Sequence, residues 1–217
     1  MSIWDTRTDY GKHALEENNL PSNPADLAQQ WIQSALAAEL PEPNAMALST
    51  IDAEGFPATR IVLLREQIGD SYRFFTTYNS HKGEELAKNT KASLLFFWST
   101  LERQIRVTGH CEKIPAADSD KYFASRPRDS QLGAWASPQS EIIASRTQLD
   151  EHIEMLRRQY PNEVPRPPHW GGYALTALKY EFWQGQKSRL HDRVIYTQTK
   201  DSAATSQLVW LTNRLAP

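Results

Sequence analysis

Between Glu181 and Arg193 the chain reads EFWQGQKSRLHDR. A phenyl ring and the large indole of Trp183 stand together, and Lys187, Arg189, His191, Asp192 and Arg193 follow at once. Apolar and charged residues are not segregated here as they are in an ordinary amphipathic element. Read alone, the stretch is a strand, a turn and a strand, with a buried Trp and surface charges. Four other groupings carry polar chemistry at regular spacing. In RIVLLR, an extended strand turns Arg60, Val62 and Leu64 one way and Ile61, Leu63 and Arg65 the other. The two arginines then either serve two anionic groups, one per face, or mark the strand ends.

In SHKGEE, Ser80 is placed to cap a helix whose first turn holds His81 and Lys82. The positive end of a helix dipole disfavours cations there by roughly 0.3–1 kcal/mol. A bound anion reverses that penalty, because free backbone N–H groups and Lys82 can share a phosphate. In RQIRVTG, Gln104 and Arg106 share a strand face, and the Gln104 amide both donates and accepts, which suits the edge of a heterocycle. Tyr122, Arg126 and Ser130 recur at a spacing of four, the spacing of one helix face. Pro127 predicts a helix break near Arg126. If the three converge they form a phosphate cage, since a guanidinium bonds phosphate bidentately.

Several reaction classes lack their signatures. There is no G-x-S-x-G elbow for a hydrolase, no H-E-x-x-H for a catalytic zinc, and no G-x-G-x-x-G after a strand for a dinucleotide fold. The single cysteine, Cys111, excludes an internal disulfide framework and any multi-cysteine metal site. A net charge of −2 argues against nucleic acid as a partner. The charge is uneven: residues 1–58 hold two Lys/Arg against nine Asp/Glu, so the basic excess lies beyond residue 58. An anionic ligand is expected in that second part. The longest apolar run, Leu94 to Trp98, is far shorter than the about 20 residues of a membrane-spanning helix, so no membrane partner is expected. The first residues carry no apolar h-region, and a cytoplasmic location is the expectation.

The elements that must position these groups follow from pattern. Residues 1–22 are polar and read as an arm, with one domain over 23–217. NPADLAQQWIQSALAAEL predicts a helix capped by Asn23, with Pro24 in its first turn and Leu27, Trp31 and Ala35 on one face. AMALSTID and PATRIVLLR predict a hairpin, SYRFFTTY a third strand, SHKGEELAKN a short helix, and RQIRVTGHCEKI a long strand. KASLLFFWS is apolar on both faces and is expected to be central. Helices are predicted at about 115–125, 129–136 and 140–159. PNEVPRPPHW is an extended connector, and three strands close the chain. Many strands with inserted helices predict a mainly β, α+β fold: an antiparallel barrel with helical additions.

RIVLLR, SHKGEELAKN, LERQIRVTG, YFASRPRDSQLGAWAS, PHWGGY and EFWQG…RLHDR, in this order, resemble the pyridoxine/pyridoxamine 5′-phosphate oxidase family from about Arg60 to Pro217. The resemblance implies an FMN-binding split β-barrel and a homodimer with FMN at the subunit interface. It implies oxidation of pyridoxine 5′-phosphate or pyridoxamine 5′-phosphate to pyridoxal 5′-phosphate, with O₂ as acceptor and H₂O₂ as product. Carried over by position, it places FMN against the strand Arg60, Ile61, Val62, Leu63, Leu64 and Arg65. It adds Phe75, Thr76, His81, Lys82 and Gln104 as FMN contacts, with Gln139, Ser140, Trp183 and Arg193. The substrate phosphate falls to Arg65, Tyr122, Arg126 and Ser130. Arg189, Leu190 and His191 fall on the pyridine side, with Arg189 and His191 catalytic. Arg7, Thr8, Asp9 and Tyr10 match an arm that closes over the substrate.

The chain departs from the family pattern in carrying Arg65 where many members have Lys, and His81 where many have Arg. Arg and Lys present different geometry to a phosphate, and His81 is neutral at pH 7 unless its surroundings favour the cation. Two other readings stay open: a related flavin oxidase acting on another ring system, such as a phenazine precursor, and a non-catalytic flavin or pyridoxal phosphate module. Peroxide formation from pyridoxine 5′-phosphate separates them.

Overall fold

The computed structural model describes residue 4, residues 9–200 and residues 208–217. The expectations for Arg7 and Thr8 therefore lie outside the described residues. Helix α1 (Pro24–Ala37) starts as its sequence demands: the Asn23 side chain accepts the Ala25 N–H, and Leu27, Trp31 and Ala35 are buried. Strands β1 (Ala45–Ile51) and β2 (Pro57–Leu63) form the expected antiparallel hairpin. A short strand, β3 (Glu66–Ile68), was not expected; Gly69, at φ +52°, turns it back onto β4 (Ser71–Thr77). Helix α2 (His81–Lys88) follows, then β5 (Lys91–Trp98) and β6 (Arg103–Lys113).

Ser80 occupies the cap position of α2, but its Oγ donates to the Thr77 carbonyl instead of accepting from the helix. Helices α3 (Ala116–Ala124) and α4 (Arg128–Ala136) agree with expectation, including the break at Pro127. Helix α5 (Arg146–Gln159) begins six residues later than the predicted 140. Ser140 is left-handed, at φ 77°, and Ser145 Oγ caps the helix by accepting the Gln148 N–H. Strands β7 (Trp170–Gln184), β8 (Asp192–Lys200) and β9 (Leu208–Leu215) complete the fold.

All nine strands among the described residues join one antiparallel sheet, in the order β2-β1-β5-β6-β7-β4-β3, with β8 and β9 continuing from β7. The sheet is not a simple meander: β4 crosses to pair with β7. It curls around a core of Tyr72, Phe74, Phe96, Tyr180 and Phe182, closed by Trp31 of α1. A second cluster, including Phe123, Leu132, Leu156 and Trp170, packs α3, α4 and α5 against one end. Strand β5 lies inside the sheet as expected, but only one face is covered. Phe96 is fully buried, while Phe97 on the other face is 54% exposed. Cys111 is buried in the core, and burial pushes its thiol up to about 12. No described helix is long and apolar enough to cross a membrane.

The β6–β7 ladder shifts register between Thr108 and Gly109. A Cβ at Gly109 would lie 1.9 Å from the Thr176 carbonyl oxygen, so only Gly lets the two backbones approach. Gly109→Ala is expected to destabilise the chain by about 1–3 kcal/mol in equilibrium urea unfolding. A variant as stable as the parent would show that the ladder can slide past the bulge.

Candidate functional site

One cavity of about 420 Å³ opens between β2, β4 and the helices, and Arg65, Lys82, Tyr122, Arg126, Ser130 and Gln139 all line it. Tyr122 lies in the last turn of α3, Arg126 sits in the Pro127 connector, and Ser130 is in the first turn of α4. The break that separates the two helices thus leaves the three residues convergent. Arg126 is held flat: its guanidinium lies 4.7 Å from the Trp170 ring and 5.6 Å from that of Phe123. Its Nη1 is buried without a hydrogen-bond partner. Desolvation, then the nearby Arg65, favours loss of its charge, while Tyr122 opposes that. Such a group wants an anion. The Tyr122 ring is fixed by stacking on Phe75 at 3.9 Å, and Arg65 lies 5.7 Å from it.

Ile61, Val62 and Leu63 form the apolar wall. Leu64 does not: it is buried in the main core, so it offers the cavity no side chain. On the same lining, Lys82 Nζ donates to Gln139 Oε1 (2.9 Å) and Thr76 Oγ1 (3.2 Å). Burial, and secondarily Arg60, lowers the Lys82 ammonium to about 8. Arg60 is not a free cation. It pairs with Glu85 at 2.8 Å and bonds Thr50 Oγ1. Arg60 and His81 line a neighbouring groove with Asp52, Glu54 and Glu84. Ser140 approaches α2 through its Oγ, which accepts the His81 backbone N–H at 3.3 Å.

Gln104, Trp183 and Arg193 stand side by side on one face at the other end of the sheet, opposite one another in the β6–β7–β8 ladders. Arg193 Nε and Nη2 both donate to Glu181 Oε1, at 3.0 and 2.8 Å, and Arg106 bonds Glu181 Oε2. Arg189, Leu190 and His191 lie in the turn before β8, not in a strand. Ser188 and Arg189 are both left-handed, at φ 55° and 61°. Arg189 and Leu190 are exposed. His191 Nδ1 faces the Gln186 N–H at 3.1 Å. A backbone N–H can only donate, so Nδ1 accepts and the ring proton sits on Nε2. Tyr10 packs edge-on to Trp183 (5.6 Å) and His191 (5.7 Å), while Asp9 is exposed.

The predicted residues thus form two groups in one chain. The cage adjoins Trp170, and the hairpin group adjoins Trp183. Trp170 and Trp183 are thirteen positions apart on β7, roughly 40 Å along an extended strand. Sequence reasoning missed the buried carboxylates: Glu85 and Glu181, which hold arginines, and Glu102, which accepts backbone N–H groups. The signal for Glu181 was present, because a lone carboxylate between Tyr180 and Phe182 must find a cation. Asp192, unexplained by the sequence, accepts the Leu15 N–H and pairs with Arg214.

Residues 32–160 match the family model described as pyridoxamine 5′-phosphate oxidase, and residues 170–217 match the pyridoxine 5′-phosphate oxidase C-terminal dimerisation region. The chain is 48% identical to a pyridoxine/pyridoxamine 5′-phosphate oxidase of Trichormus variabilis over 100% of this chain and 99% of that one. It is 47% identical to one of Burkholderia cenocepacia at the same coverage. Among solved structures, PhzG from Burkholderia lata in complex with tetrahydrophenazine-1-carboxylic acid superposes with a TM-score of 0.85. That pair is 29% identical, and the match covers 94% of this chain and 98% of the other. A pyridoxamine 5′-phosphate oxidase-related, FMN-binding protein of Nostoc punctiforme shares the fold, with a TM-score of 0.70 at 15% identity. The match covers 91% of this chain and 100% of that one. The split-barrel sheet, the two matched models and full-length identity near one half lead to one conclusion: the chain belongs to the pyridoxamine 5′-phosphate oxidase family.

Proposed function

We propose that this chain oxidises pyridoxine 5′-phosphate and pyridoxamine 5′-phosphate to pyridoxal 5′-phosphate, with FMN as cofactor and O₂ as electron acceptor. The observation that carries the reading is the cage of Arg65, Tyr122, Arg126 and Ser130, in which a desolvated guanidinium has a buried, unpartnered N–H. Two guanidiniums and two hydroxyls suit a phosphate monoester better than a carboxylate. The cavity also fits FMN: Lys82 has lost part of its hydration and stands beside Thr76 and Gln139 on its lining.

Bound FMN, held by Lys82, Thr76 and Gln139, would supply two-electron redox chemistry between the substrate's C4′ carbon and O₂, with H₂O₂ as product. Oxidation of the amine substrate also takes up water and releases ammonia. The chain's own residues bind and orient. Arg65 and Arg126 hold the substrate phosphate, and the stacked Phe75 and Tyr122 fix the direction of that anchor. The hairpin residues belong to the same reaction but cannot reach the cage within one protomer, so a second copy supplies Gln104, Trp183, Arg189, His191 and Arg193. This is the physical reason for a homodimer, in keeping with the matched dimerisation region. His191, with Nδ1 occupied, offers Nε2–H as a donor to the substrate ring. Arg189 positions the C4′ group and stabilises the oxygen or nitrogen that loses its proton.

The likeness to PhzG favours a second reading, oxidation of a phenazine precursor. Anaerobic addition of pyridoxine 5′-phosphate to the FMN-loaded protein decides between them. Bleaching of the flavin, and peroxide on admitting air, are expected. No bleaching, or faster bleaching by a dihydrophenazine carboxylate, would overturn the proposal.

Arg126→Met is expected to raise KM for the phosphorylated substrate by roughly 10–100-fold, the loss of about 1.5–3 kcal/mol from a charged hydrogen bond, with kcat changed far less. Steady-state kinetics with pyridoxine 5′-phosphate check this. FMN affinity carries its own signature. Lys82 sits near 8 in the free protein, and a phosphate beside it favours the ammonium form. Affinity is therefore expected to hold up to about pH 8 and to fall as pH rises beyond it. Titration of the apoprotein with FMN by fluorescence quenching should show this fall, and Lys82→Met should flatten it.

A further inference from the structure

We infer that Glu102 is a positioning residue: it latches the N-terminal arm over the Trp183–His191 hairpin and so presents Tyr10 to the substrate. The inference rests on the function proposed above for the word substrate, but the latch itself rests on geometry. Glu102 lies in the turn between β5 and β6, is 4% exposed, and adopts a left-handed conformation at φ 55°. Its Oε2 accepts two consecutive backbone N–H groups of the arm, from Gly11 at 2.8 Å and Lys12 at 3.0 Å. Among the described residues these amides are its side chain's hydrogen-bond partners. They hold its carboxyl below the usual carboxylate range, Gly11 first and Lys12 second. A buried carboxylate satisfied by the arm alone favours the docked arm, because undocking strips the charge of its donors.

Two glycines complete the fit. Gly11 has φ +144°, a conformation that side chains rarely adopt, and this brings its N–H and that of Lys12 to one oxygen. Gly185 follows β7 directly, and its N–H donates to the Glu102 carbonyl at 2.8 Å. A Cβ there would lie 2.8 Å from Tyr10 Cβ and Cγ and 3.0 Å from Glu102 Cβ. The missing methyl is the space in which the arm lies. Further contacts join arm and hairpin: Gln186 Nε2 donates to the His13 carbonyl and to Asp192 Oδ2, which also accepts the Leu15 N–H. Gln186 is the residue whose backbone N–H fixes the His191 tautomer. Arm docking and the orientation of His191 are thus states of one network.

The test uses the FMN-loaded full chain and two variants that act by different means. Glu102→Gln keeps the volume and removes the charge. Gly185→Ala keeps the charge and fills the space of Tyr10. Trypsin cleavage after Lys12 reads the latch without reference to activity, and KM against kcat for pyridoxine 5′-phosphate reads its consequence. Each variant is expected to be cleaved after Lys12 at least about tenfold faster than the parent and to show KM raised about tenfold, with kcat changed less than KM. Unchanged cleavage in both variants would overturn the latch. Faster cleavage with unchanged KM would overturn the positioning role. If Glu102→Gln does not fold, Gly185→Ala decides alone. A parent that binds FMN but does not oxidise pyridoxine 5′-phosphate defeats the function proposed above, while the cleavage rates still decide the latch.

Discussion

The structure turns on one strand. β7 runs fifteen residues and pairs with β4 and β6 on its two sides near Trp170, and with β6 and β8 near Gln184. Because side chains alternate and the backbone cannot fold back, its two ends must serve different places. Near Trp170 it offers an aromatic platform to a guanidinium, and Gly171 and Gly172 admit close neighbours: a Cβ would strike the Tyr78 hydroxyl at 2.0 Å or Ile114 at 2.4 Å. Near Gln184 it offers Trp183 and Glu181 on one face.

Charge pairing sorts the cations into two kinds. Arg60 has Glu85, Arg106 and Arg193 share Glu181, and Arg73 has Glu66 and Asp118. These arginines are anchored by carboxylates, although Glu181 offsets only one of the two charges it holds. Among the described residues no carboxylate ion-pairs with Arg65, Lys82 or Arg126, and those three line the same cavity. Gathering like charges, with Lys82 and Arg126 partly desolvated, costs free energy unless a ligand supplies the opposite charge. The basic excess beyond residue 58 is therefore not spread evenly over the surface. Part of it is tied up in support, and Arg65, Lys82 and Arg126 gather at one space.

Much of this was legible in the chain. Asn23 before Pro24 and the spacing of Leu27, Trp31 and Ala35 define α1 without tertiary help, and Pro127 marks the break between α3 and α4. The cage residues were legible by spacing, although a broken helix, not a continuous one, brings them together. Position within the sheet was not legible. The crossing of β4 to β7 depends on non-local pairing that no local pattern encodes, and β3 is too short to show alternation. The start of α5 was misjudged because residues 140–145 have helix-compatible composition, whereas Ser145 acts as the cap. The buried carboxylates were hidden for a related reason. A Glu in sequence is read as solvated; the flanking Tyr180 and Phe182 signal otherwise for Glu181, but only the fold shows that Glu85 and Glu102 are enclosed by donors.

The lone thiol bears on endurance. A catalyst whose proposed turnover releases peroxide is exposed to its own oxidant, which attacks the thiolate form of cysteine. Cys111 lies under the sheet at 1% exposure with its ionisation suppressed by burial. The protein thus keeps its single most oxidisable sulfhydryl both out of contact with that product and in its unreactive form. Self-inactivation through sulfenic acid is closed off by packing, with no separate protective chemistry needed.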